Sequence, residues 1–79
     1  MKYENYKEKV RQIISHKAGM EPKEVLEDMF FGDDLNLGDL EVTEILDELE
    51  DLFKIEIMDE QENIESVRDL FELLEEKLE

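Results

Sequence analysis

The 79-residue sequence has no cysteine and no tryptophan, one proline, three glycines and one histidine, and its charge is almost all of one sign. Without cysteine there is no disulfide framework and no thiolate metal site, and nothing points to a secreted scaffold. No apolar run approaches the length needed to cross a bilayer. The first ten residues are charged rather than apolar, so no signal peptide is expected and the cytoplasm is the expected location. Basic residues are scarce: nine Lys/Arg stand against 25 Asp/Glu, a formal net charge of −16. Nucleic acid and anionic membrane surfaces would both repel such a chain, so neither is an expected partner.

Charged residues make up 43% of the chain, a composition that leans towards disorder. Leu, Ile, Val and Phe nevertheless number 25 of 79, well above the roughly 20% below which folding becomes doubtful. Their spacing decides for a folded chain, and the length allows one domain, residues 1–79, expected as a monomer. Charge is unevenly distributed. Residues 1–23 hold six Lys/Arg and three Glu, a balance of +3, whereas residues 24–79 hold three Lys/Arg and 22 Asp/Glu, a balance of −19. The acidic part suits steering towards a basic partner; the competing reading is a solvated surface that only keeps the protein soluble.

A first helix is expected from Tyr3 to Ala18, with Tyr6, Val10, Ile13, Ile14 and Lys17 on one face. Gly19 is a candidate left-handed terminator, and His16 is read as a helix-end residue rather than a catalytic one. Residues 19–37 form the longest connection. Pro22 is expected to open a short helical turn running through Val25, Leu26 and Met29. Met29, Phe30, Phe31, Leu35 and Leu37 are too apolar for a free linker and are expected to bury on the bundle. A second helix is predicted over Asp39–Phe53, with Val42, Ile45, Leu46, Leu49, Leu52 and Phe53 as its buried stripe and acids around the rest. Leu40 falls among the acids, either folded back onto the loop or exposed as a knob for a partner. Ile55 and Ile57 lead inward, Asp59–Ile64 makes one turn, and Ser66 with Asp69 signals the start of a last helix. That helix presents Val67, Leu70, Phe71, Leu74 and Leu78. The fold class is therefore all-α: a small four-helix bundle of three main helices and a short third one, with a long first loop.

Catalytic material is thin. Ser66 is better read as a cap, Ser15 as a helix-end residue and Thr43 as a surface residue, and one imidazole would have to serve them all. Paired carboxylates need a dry cleft to separate their pKa values, which an acidic surface helix does not supply. No enzyme is expected. Neither acidic loop fits a calcium-binding EF-hand: counted from Asp34, Asp39 stands where glycine is required and Ile45 where glutamate is. Glu44, Asp47, Glu48 and Asp51 invite loose divalent binding as charge relief, not a specific metal site.

The order of Asp33-Asp34-Leu35, an acidic helix from Leu40 through Glu44 to Asp51-Leu52-Phe53, and Ile55-Glu56-Ile57 resembles the acyl carrier protein family over nearly the whole chain. That resemblance implies a phosphopantetheine-carrier-like bundle whose second helix docks on basic patches of acyl-carrier-dependent enzymes. By position Glu41, Glu44, Glu50 and Asp51 match the family's contact acids, Asp47 shares their helix, and Leu40 matches the leucine after the modified serine, which favours the exposed reading. The family's Asp-Ser-Leu motif is here Gly38-Asp39-Leu40. A carboxylate cannot form the phosphodiester to the cofactor arm, so no cofactor is expected. At a helix start Asp39 can instead accept from unpaired N–H groups and suit the helix dipole. The proline usual after Ile-Glu-Ile is Met58.

The leading expectation is an interaction module that binds carrier-protein partners, or a dedicated basic partner, without cargo. A working carrier, with Asp39 engineered or another hydroxyl bearing the arm, is the alternative. An acidic inhibitor that mimics a polyanion is a third reading, which no register of residues asks for.

Overall fold

The computed structural model describes residues 6–78. Helix α1 spans Tyr6–Ala18, α2 Asp39–Phe53 and α3 Val67–Leu78, with 3-10 turns at Pro22–Glu24 and Met58–Asn63. The expected start of the first helix at Tyr3 lies outside the described residues. The radius of gyration is 11.4 Å, against about 11.6 Å for a folded chain of this length.

Apolar residues recurring at the helical period place one stripe of each helix in a common core. α1 contributes Tyr6, Val10 and Ile14, α2 Val42, Ile45, Leu46, Leu49 and Phe53, and α3 Val67, Leu70, Phe71 and Leu74, all buried. Each fully buried aliphatic side chain stabilises the fold by about 1.5–3 kcal/mol relative to exposure. Leu52, at the edge of the α2 stripe, departs from expectation: it is 48% exposed. Periodicity locates a stripe but not the edge that neighbouring helices fail to cover.

Gly19 has φ +72°, and its N–H and that of Met20 both donate to the Ser15 carbonyl, closing α1 as expected of a left-handed terminator. The turn after Pro22 is shorter than predicted. It ends at Glu24, after which Val25 is buried, Leu26 is exposed and Met29 packs on the core.

The long connection is a tied segment. Phe31, Leu35 and Leu37 are buried, while Phe30, expected inside, is 46% exposed. Its backbone bonds run to the start of α3 and the residues just before it: Phe31 N–H donates to the Glu65 carbonyl, and Val67 and Arg68 N–H donate to the carbonyls of Met29 and Glu27. Phe30 and Ser66 form an isolated antiparallel bridge. This pairing aims Phe31 inward and leaves Phe30 outside, because successive extended residues point to opposite faces.

α3 starts as predicted. Asp69 N–H donates to Ser66 Oγ at 3.2 Å and the Asp69 carboxylate accepts from Ser66 N–H at 3.1 Å, a reciprocal capping box. At the far end of α2, Lys54 takes a left-handed conformation (φ 59°) and turns the chain so that Ile57 enters the core.

Candidate functional site

α2 begins with a different device from the one its sequence suggested. Gly38 is the N-cap and Asp39 the first helical residue. Glu41 supplies the capping carboxylate, its Oε1 accepting from Gly38 N–H at 3.0 Å. Asp39 keeps only the electrostatic part of its expected role, a negative charge in the first turn. A Cβ on Gly38 would approach Glu41 Oε1 to 3.2 Å, so a larger residue there requires the end of the Glu41 side chain to give by a few tenths of an ångström.

Asp39 sits on an open cleft of about 320 Å³ with Met58, Asp59, Gln61 and Glu62. None of these residues carries a hydroxyl. Thr43 lies one turn into the helix, half-buried rather than freely exposed. Its Oγ1 is 2.8 Å from both the Asp39 carbonyl and Gln61 Oε1, and Gln61 Nε2 donates to the same carbonyl at 3.0 Å. The remaining hydroxyls among the described residues, on Tyr6, Ser15 and Ser66, are buried; Ser15 Oγ donates to the Gln12 carbonyl. Tyr3 lies outside the described residues. Among the described residues, therefore, no hydroxyl lines this cleft.

The acids of α2 separate into three sets by angle. At about 100° per residue, with Leu40 taken as zero, Asp51, Glu44 and Asp47 lie within about 40° of it. Glu48 and Glu41 fall about 80–100° to one side and Glu50 about 80° to the other. Glu50 does not project to solvent. Its Oε2 accepts from the N–H groups of Ile57 (2.7 Å) and Met58 (2.8 Å), fastening the inward-leading segment to the helix. Glu41 is committed to Gly38. On that same flank Lys17, reaching over from the end of α1, places Nζ 2.6 Å from Glu44 Oε1. The Lys17 ammonium is held above the usual lysine pKa, chiefly by the Glu44 hydrogen bond; slight burial opposes this, and the charges of Glu44, Glu48 and Glu41 add to it.

What remains free is a ridge. Leu40 is 68% exposed, so it is not folded back onto the loop. The side chains of Asp47 and Asp51 are exposed and make no hydrogen bond or ion pair within the described residues. Of the six residues expected to meet a partner, then, Leu40, Asp47 and Asp51 form one outward line, Glu44 is shared with Lys17, and Glu41 and Glu50 hold backbone. Lys17 was missing from the sequence-based set, although a lysine on the apolar stripe of α1 signals a polar partner on the facing helix. Nothing in the sequence marks Gln61.

His16 is exposed at the end of α1, and no group of three or more His, Cys, Asp or Glu among the described residues is arranged to hold a metal ion. No helix among them is long and apolar enough to cross a membrane.

No protein-family model matches the chain. Individual proteins do. The chain is 42% identical over 67 residues to an acyl carrier protein of Exiguobacterium sibiricum, covering 84% of this chain and 85% of the relative. It is 38% identical over 71 residues to one of Solidesulfovibrio magneticus, covering 89% and 91%. It is 32% identical over 72 residues to one of Thermosynechococcus vestitus, covering 90% and 89%. These relatives are named as carriers, not enzymes, and with such identity across nearly the whole length of both partners, on an all-helical frame, the chain belongs to the acyl carrier protein family.

Proposed function

We propose that this chain is an acyl-carrier-like docking module that bears no phosphopantetheine arm. It forms a single domain over residues 1–79, acts as a cytoplasmic monomer and meets the basic patches of enzymes of fatty acid or polyketide-type acyl metabolism. One observation carries the reading. The helix start that the family resemblance assigns to the modified serine holds Asp39, on a cleft without a hydroxyl, while the neighbouring ridge of Leu40, Asp47 and Asp51 stands free. Loss of cargo chemistry with retention of a charged, apolar-tipped surface supports binding as the surviving role.

The printed name of the relatives favours a second reading, a loaded carrier. It requires an alcohol that reaches a transferase, and the hydroxyls of the described residues are buried or half-buried and hydrogen-bonded.

The docking reading is tested by binding to an acyl-carrier-dependent synthase with a basic carrier-facing patch, followed by calorimetry at low salt. Asp47→Lys with Asp51→Lys should abolish binding while leaving the helical circular dichroism intact. Undiminished affinity in the double variant would overturn it.

A further inference from the structure

The acids of α2 do not offer themselves equally to a cation from outside. Lys17 and Glu44 are 27 residues apart in sequence, yet their charged atoms meet at 2.6 Å. The Lys17 side chain is 24% exposed and that of Glu44 48%, so the pair sits on the open flank of α2 rather than in the core. Glu41 and Glu48 lie on the same flank and act on the same ammonium. On the ridge beside them, Asp47 and Asp51 have no such counter-ion among the described residues.

We infer that Lys17 is a specificity-determining residue of the docking face: from within the chain it takes the place at Glu44 that a partner's cation would occupy, and so confines a basic partner to the ridge of Leu40, Asp47 and Asp51. The inference rests on the docking reading and sharpens it. A partner cation brought to Glu44 must displace an ammonium already bonded there and meets a like charge while doing so. A cation brought to Asp47 or Asp51 meets neither obstacle. Because Lys17 is partly exposed and can swing aside, it biases the choice rather than forbidding it.

The ridge also fixes the shape of the partner. Asp47 and Asp51 are one turn apart, about 6 Å along the axis, and Leu40 lies about 10.5 Å before Asp47. The fitting surface has two cations about one helical turn apart and an apolar hollow roughly two turns away. Opposite Lys17 it presents a neutral group or an acceptor instead of a third cation.

The test uses a fluorescein-labelled synthetic helical peptide, leucine on one face with lysines flanking it, titrated with the full chain at low ionic strength and read by anisotropy. Asp47→Asn with Asp51→Asn should weaken binding at least about tenfold, and Lys17→Met should tighten it by about three- to tenfold. Glu44→Gln should cost several-fold more affinity in the Lys17→Met background than in the wild type. Thermal melts of each variant confirm that the fold is kept, and Lys17→Gln repeats the comparison with a polar replacement. A Glu44→Gln effect that is the same with and without Lys17 would overturn the inference while leaving the docking reading in place. Peptide binding that is absent, or indifferent to the Asp47 and Asp51 changes, would overturn both.

Discussion

Glu50 and Asp51 are adjacent in the chain and carry the same charge, but they face different worlds. The Glu50 carboxylate accepts two backbone N–H groups and ties the end of α2 to the segment that delivers Ile57 into the core. Asp51 points to water on the same face of the helix as Asp47 and exposed Leu40. One step of about 100° around a helix separates an acid that holds backbone from one that faces solvent. A count of acids on α2 therefore overstates the surface that can greet a partner, and the angle of each residue, together with what neighbouring segments offer it, sorts them.

The comparison can be broken most decisively with two leucines of the same helix. Leu49 is fully buried and Leu40 68% exposed. Leu49→Ala should cost about 2–5 kcal/mol in urea unfolding, whereas Leu40→Ala should stay within about 0.5 kcal/mol of wild type. Equal costs would mean that Leu40 packs on the loop after all.

The two acids give the next largest contrast. Glu50→Ala removes an ionised acceptor from two N–H groups and should cost about 1.5–3 kcal/mol. Asp51→Ala should change stability by no more than about 0.5 kcal/mol in either direction. A stability loss at Asp51 matching that at Glu50 would erase the distinction between the two sets.

Much of this arrangement was legible in the residues. The bounds of α2, the left-handed end of α1 at Gly19 and the Ser66–Asp69 cap all follow from local rules, and the structure places them where those rules point. The misses share a cause. Leu52 and Phe30 are outside because coverage depends on a remote neighbour, and the pairing of Phe30 with Ser66 joins segments that no periodicity connects. Glu41 in place of Asp39 as the capping acceptor is a shift of two residues, within the ambiguity of any acidic helix start. Lys17 falls on the apolar stripe of α1 by its spacing, but its partner Glu44 can be named only once α1 and α2 are set side by side.

A smaller effect probes the same division of charge. The free acids on residues 24–79 repel one another, so millimolar magnesium or added salt should raise the melting temperature by several degrees. Neutralising Asp47 and Asp51 with asparagine should shrink that gain, whereas Glu44→Gln, which strips Lys17 of its counter-ion, should not. Melting curves with and without magnesium for these variants make the check.

The central claim is that the docking surface survives without the attachment point. Its most direct test is the intact mass of the chain after incubation with coenzyme A and a broad-specificity phosphopantetheinyl transferase, beside the Asp39→Ser variant. The wild type should show no change, and Asp39→Ser should gain the mass of one arm, proving that the transferase recognises this helix. A one-arm mass gain on the wild-type chain would contradict the account.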